Sequence, residues 1–375
     1  MKKLRNIVKL ASSFLPTKKT VKKSLDCLHF EIQGNTLLKI TARDFNIGFV
    51  GNFFSDNIIT SEYNAILIDK KFLKQFSLCN DNDIIQIYKN EADDNLILQI
   101  GNIKFQGIDV FTYPIIDMDI FVNTVNVGDN FINKLEFASS AIRGKTHAYT
   151  MMRSSATNFI CANFKEGFIV GTNQEIMNFA THDFFGNENV EKILIRKESF
   201  KIFKHLKRDL KTIKISNLVN RHFALFDLSL PDCYGIIELE HPEVNTFPYL
   251  DVVHDNKYCT DIFHFNRTEM LTILKKFEKL VSPDENIPEV VTLTFDGNIL
   301  KATHFQSGLS ELLIGLNAGS QNKKFSFQLD SLIKTITSQP DEKLRFRFQE
   351  KTDCLQVIDG DSNYMSFSMP YEIKN

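Results

Sequence analysis

The chain has 375 residues, 43% hydrophobic and 24% charged, which suits two or three packed domains and excludes a coiled rod or a wholly disordered chain. Forty-four Lys plus Arg against 46 Asp plus Glu leave a net charge of -2. That balance excludes a uniformly polycationic surface, but not a basic stripe on one face.

Apolar residues at helical spacing open the chain. Leu4, Ile7, Val8, Ala11 and Phe14 share one face, with Lys2, Lys3, Arg5 and Lys9 mostly off it, and Pro16 stops the helix. Lys9 interrupts what would be the apolar stretch of a signal peptide, and no apolar run approaches the length of a membrane span. Strand-like stretches follow at 24–32, 36–42, 46–53 and 61–68, then a short helix at 69–76, then strands at 84–89, 96–100 and 103–109. The same order recurs. Helices are predicted at 129–142 and 197–210, and again at 266–280 and 329–337. First helices thus begin near residues 3, 129 and 266, and second helices near 69, 197 and 329. This spacing predicts an α+β protein of three tandem domains, 1–122, 123–254 and 255–375, each made of two helix-plus-antiparallel-sheet halves. The pattern lapses at 113–125 and 247–258, and neither linker is Gly-rich or low in complexity.

Charge is unevenly placed along this pattern. The six helical segments with their flanks, 2–10, 69–76, 129–145, 197–211, 266–279 and 328–338, carry a net +13 and the remainder -15. Lys197, Lys201, Lys204 and Arg208 recur every three or four positions opposite Phe200, Phe203 and Leu206, a stripe suited to a phosphate backbone. An ordinary solvated helix face is the alternative for any one helix.

Catalytic patterns are missing. No phosphate-binding loop, dinucleotide fingerprint, zinc-protease pair or serine-hydrolase elbow occurs. His182 and His304 read as structural groups, Asp251, Asp255 and Asp261 as a solvated linker, and the run from Asp359 to Asn363 as a turn that lacks a calcium loop's closing Glu. No metal or other cofactor is expected, and no enzymatic activity. Six cysteines, Cys27, Cys79, Cys161, Cys233, Cys259 and Cys354, form no C-x-x-C pair and suit a reducing cytoplasm.

Three short motifs, in order, carry a resemblance. Phe327 to Ile333 followed by the ending from Tyr364 to Pro370, Phe247-Pro248-Tyr249, and Tyr113-Pro114 resemble motifs of the bacterial DNA polymerase III beta subunit, the beta sliding clamp family. The resemblance covers the whole chain and implies a head-to-tail homodimeric ring around duplex DNA. It further implies a non-catalytic processivity factor that tethers the replicative polymerase. The DNA-facing residues it implies, together with the basic helices, are Arg5, Lys9, Lys74, Lys134, Lys197, Lys201, Lys204, Arg208, Lys275 and Lys279. Met177, Pro248, Val253, Phe367 and Met369 look like a groove for short linear peptides of the polymerase and clamp loader, while Ile103, Phe105, Leu280 and Val281 resemble a dimer interface. The segment Gly171 to Met177 and the terminal Glu372-Ile373 depart from the family's pattern. The other reading is a tandem-domain interaction scaffold that does not encircle DNA.

Overall fold

A computed structural model describes residues 3–368 except 19, 21, 111–112, 115–116, 143–158, 174–175, 186–189, 217–220, 241–258, 281–288, 318–322, 350–353 and 361–362. The helices are α1 (Lys3–Ser12), α2 (Lys70–Leu78), α3 (Phe131–Ile142), α4 (Lys197–His205), α5 (Arg267–Glu278) and α6 (Leu329–Ser338), each where the spacing predicts one. Two differ in kind. α2 and α4 wind as 3-10 helices, and α4 stops at His205 instead of continuing to Leu210. The backbone beyond is drawn to another strand: Lys207 N–H donates to the Asp227 carbonyl, and Ser229 N–H to that of His205.

After α1 come β1 (Cys27–Gln33), β2 (Leu37–Arg43), β3 (Ile47–Phe54), β4 (Ile58–Ile59) and β5 (Ala65–Asp69). After α2 come β6 (Ile85–Lys89), β7 (Leu96–Ile100) and β8 (Ile103–Gly107). The second repeat runs β9 (Asn123–Val127), α3, β10 (Phe159–Asn163), β11 (Phe168–Thr172), β12 (Ile176–Thr181), β13 (Phe184–Phe185), β14 (Lys192–Arg196), α4, β15 (Thr212–Ile215), β16 (His222–Asp227) and β17 (Cys233–Glu240). The third runs β18 (Cys259–Asn266), α5, β19 (Val290–Asp296), β20 (Ile299–His304), β21 (Ser310–Ile314), β22 (Leu316–Asn317), β23 (Lys324–Gln328), α6, β24 (Lys343–Gln349), β25 (Cys354–Asp359) and β26 (Tyr364–Ser368).

Hydrogen bonding repeats with the chain. First halves form antiparallel sheets in the orders β5-β1-β2-β3, β14-β10-β11-β12 and β23-β19-β20-β21, and second halves form β6-β7-β8, β15-β16-β17 and β24-β25-β26. Contacts nevertheless group the chain into two compact units, Met1–Asp129 with Glu198–Glu240, and Asn130–Lys197 with His241–Asn375. The reason lies in two seams. In the first unit β3 pairs antiparallel with β17, and in the second β12 pairs with β26, so a first half and a second half from neighbouring repeats share one continuous sheet. Main-chain pairing across these seams is as regular as pairing within a half, and the units therefore cut through the middle repeat.

Helices cover one face of each sheet, and glycines let them approach. A Cβ on Gly51 of β3 would meet Ile7 of α1 at 2.7 Å, one on Gly171 of β11 the Ala138 carbonyl of α3 at 2.3 Å, and one on Gly235 of β17 Ile202 of α4 at 2.4 Å. At Gly171 the neighbour is backbone and leaves no room for a Cβ, while at Gly51 and Gly235 a Cβ would force the isoleucine side chains to shift.

On the opposite face of the first unit's sheet, residues 113–114 and 117–122 of the predicted linker lie as a strap, while 123–125 join strand β9. Tyr113 stacks on His29 with centroids 5.2 Å apart and donates its hydroxyl to the Thr41 carbonyl, Arg43 donates to the Pro114 carbonyl, and Phe121 packs among Val50, Phe223, Leu225 and Ile236. Tyr113-Pro114 is thus a structural clamp on the sheet. His29 is 1% exposed, and neither ring nitrogen has a hydrogen-bond partner among the described residues. Burial pushes its pKa down from 6.5 to about 4, with Glu31 opposing and Lys39 reinforcing the shift. A depressed histidine pKa means that the unfolded chain takes up the proton first. Stability from this group is complete above about pH 6.5 and is lost as pH falls towards 4, by about 3 kcal/mol. A His29→Phe variant is expected to show a flatter unfolding free energy than the parent between those pH values. Parallel curves in urea titrations would contradict this.

Candidate nucleic-acid interface

α1 is held at its start by a distant residue. The Asp81 carboxylate accepts from the backbone N–H groups of Lys3 and Leu4 at 2.7 and 3.0 Å, satisfying orphan donors of the first turn and adding negative charge where the helix dipole favours it. Nothing in the local sequence marks this cap, because Asp81 lies 78 residues from Lys3. α2 is capped locally by Asp69, which accepts from Lys71 N–H at 2.9 Å.

So anchored, α1 and α2 pack side by side and leave a cleft of about 360 Å³ between them. Its walls are Arg5, Lys9 and Ser12 from α1 and Lys74 and Ser77 from α2, over Val8, Leu73 and Phe76. No ion pair engages the Arg5, Lys9 or Lys74 side chains among the described residues. Three cations thus line a concave, partly apolar floor, with the Ser12 hydroxyl donating to the Lys9 carbonyl at 2.7 Å.

The rest of the predicted basic set is less uniform. On α4, Lys204 is exposed, whereas Lys201 is bound to Asp44 at 2.6 Å, so the continuous stripe expected there is interrupted by an internal ion pair. Arg208 is exposed beyond the end of α4. The α1 end meets α4 through the Ser13 hydroxyl, 3.2 Å from His205 Nε2. In the second unit, Lys134 on α3 is half-buried, and desolvation lowers its pKa against the opposing pull of Asp183 and Asp359. Lys275 and Lys279, in and just past α5, are exposed. Net charge separates the helices: +3 on α1, +3 on α2 and +2 on α4, against 0 on α3, +1 on α5 and 0 on α6.

Of the expected peptide-groove residues, Met177 and Phe367 are direct cross-strand partners on the β12–β26 seam. Both are buried with Phe179 and Met365 on the sheet face away from the helices. Pro248, Val253 and Met369 lie outside the described residues. On the helix side of the same seam, Asn178 donates to the Phe137 carbonyl and the Ser140 hydroxyl and accepts from Ser366, which in turn accepts from Gln339. Sequence reading passed over this network.

Among the expected interface residues, Ile103 sits half-buried on β8 and Leu280 is exposed just after α5, while Val281 lies outside the described residues. Phe105 points inward, because strand alternation turns it onto Phe76 at 4.1 Å, and it contributes to the core of this chain instead of its surface. The free edge of β21 instead exposes Leu312 (62%) and Ile314 (79%). His304 is locked in a turn, with Nε2 2.5 Å from Glu289 and Nδ1 2.8 Å from Ser307. None of the cysteines forms a disulfide, and burial pushes the thiols of Cys27 and Cys79 up to about 11 and those of Cys161, Cys233 and Cys354 up to about 12. Among the described residues no cluster of metal-ligating side chains occurs, and no helix is long and apolar enough to cross a membrane.

Compared as a whole, the chain matches a DNA polymerase sliding clamp from Caulobacter crescentus (13% identity, 99% of this chain and 98% of that one, TM-score 0.74). It likewise matches the Pseudomonas aeruginosa sliding clamp, DNA polymerase III subunit beta, bound to griselimycin (13%, 99% and 98%, TM-score 0.78). The fold is that of a beta sliding clamp. The beta chain of DNA polymerase III from Streptococcus pneumoniae TIGR4 aligns over 99% of this chain and 97% of its own at 15% identity, TM-score 0.76. No protein-family model matches the chain, and no curated protein matches it in sequence. The clamp fold at this identity explains why three short motifs were the visible sequence trace.

Proposed function

We propose that this protein is a DNA sliding clamp, a non-catalytic processivity factor whose three domains, 1–122, 123–254 and 255–375, join with those of a second copy in a head-to-tail ring around duplex DNA. One observation carries the reading. Each first half ends in a third strand, β3, β12 or β21, and each second half in β8, β17 or β26; two such strands meet in each seam, leaving the outer edges of β21 and β8 unpaired among the described residues, apart from the Leu67–Ile108 bridge just past β8. A third seam of the same kind needs β21 of one copy and β8 of the next. That is a heterologous contact, which closes when the rotation per copy completes a circle. The exposed Leu312 and Ile314 give β21 the apolar character of a surface to be covered.

In this reading the helices face the duplex, with the α1–α2 cleft as the strongest phosphate contact, while the β12–β26 seam takes short peptides of a polymerase and a clamp loader. The proposed compartment is the cytoplasm. The test is topological. With a matching loader, the protein is expected to stay on nicked circular DNA and to slide off when the circle is linearised. Equal retention on both forms overturns the ring and favours a scaffold bound to the DNA surface.

A further inference from the structure

We propose that the β3–β17 seam is a second peptide-docking surface that the chain keeps filled with its own segment 117–121, confining external peptides to the β12–β26 seam. The inference rests on the peptide-groove reading of that other seam. Both seams join third strand to third strand in antiparallel register. On the face away from the helices, Met177, Phe179, Met365 and Phe367 form the apolar row of one, and Val50, Ile236, Phe223 and Leu225 that of the other.

The resident of the β3–β17 seam is visible. Phe121 is buried in that row, and Met118 and Ile120 pack beside it. The segment is shaped for the purpose: Met118–Ile120 form a single 3-10 turn, capped by the Asp117 carboxylate accepting from Asp119 N–H at 2.9 Å and closed by Phe121 N–H donating to the Met118 carbonyl at 3.4 Å. Asp117 and Asp119 face solvent. The segment therefore has the chemistry of a short linear ligand, with three apolar anchors on one side and two carboxylates on the other. Tethered at both ends, it competes with free peptide at an effective concentration on the order of millimolar. The external ligand class follows from the resident: an acidic peptide with methionine or leucine, isoleucine or leucine, and phenylalanine anchors.

The experiment uses a labelled synthetic peptide of residues 117–122, the full-length parent and the variant Met118→Ser/Ile120→Ser/Phe121→Ser. Anisotropy titration is combined with hydrogen exchange on β3, β17, β12 and β26. The variant is expected to gain a site that protects β3 and β17, with apparent affinity there at least about tenfold above the parent. Phe121→Ala alone is expected to give the same protection with a smaller gain, and serves if the triple variant unfolds. Peptide protection restricted to β12 and β26 in every protein overturns this proposal while supporting the groove reading. Protection of β3 and β17 in the variants without any at β12 and β26 supports the self-filled β3–β17 seam but overturns the groove reading and with it the confinement of external peptides to β12–β26. No protection at either seam overturns both.

Discussion

Replacing Arg5, Lys9 and Lys74 together with Gln is expected to weaken duplex DNA binding about 100- to 1,000-fold at 0.1 M salt and to lower the slope of log affinity against log salt by about 3. The three side chains line one cleft between α1 and α2 and are engaged in no ion pair among the described residues. Each is thus available to displace one condensed counterion, and each displaced ion contributes about 0.9 to the slope. Lys201→Gln is the matching control. Lys201 already neutralises Asp44 at 2.6 Å, so its loss is expected to leave the salt slope near that of the parent. Anisotropy titrations at four or five salt concentrations read both quantities. A triple variant with the parent's slope would remove the α1–α2 cleft from the interface.

Asn178→Leu is expected to destabilise the second unit by about 3 kcal/mol, measured as a shift in denaturant midpoint at constant m-value. The side chain is 1% exposed, and leucine shares its branched outline but is larger, so overpacking adds to the cost. What is lost is the carboxamide's pairing with the Phe137 carbonyl at 2.9 Å and with the hydroxyls of Ser140 and Ser366, both at 2.7 Å. Those groups stay behind in an apolar interior with fewer partners, which costs more than the bonds themselves contributed. Because Asn178 is on β12 and Ser366 on β26, the seam beneath the candidate peptide groove loosens as well. A double-mutant cycle with Ser366→Ala is expected to show coupling above about 0.5 kcal/mol. A loss under 1 kcal/mol for Asn178→Leu would show that the network is dispensable.

Six helices and most strands of the first repeat were legible because their signals are local. Apolar spacing along Leu4, Ile7, Val8 and Ala11 predicts α1, and those four side chains are its buried face. Turn residues and alternation place β2, β3, β6 and β7 within a residue or two. The 3-10 winding of α2 and α4 was not legible, since side chains at intervals of three and four satisfy either helix over nine residues. Charge counting located the basic helices and could not tell Lys74, which lines the cleft, from Lys201, which pairs with Asp44, 157 residues away. Phe105 shows the same limit: a resemblance placed it at an interface, and the inward phase of β8 puts it against Phe76.

The sequence by itself determined the threefold repeat, the helix positions, the concentration of positive charge on helices and the lack of a catalytic pattern. All of these depend on periodicity or composition within a few turns of chain. Only the tertiary structure decided that the repeats interlock through the β3–β17 and β12–β26 seams, that Asp81 caps α1, that 117–121 fills one seam and that the outer edges of β8 and β21 find no strand partner among the described residues. Each of these joins residues that are tens to hundreds of positions apart, and such pairings are chosen by the complementarity of surfaces that exist only after the local elements have formed.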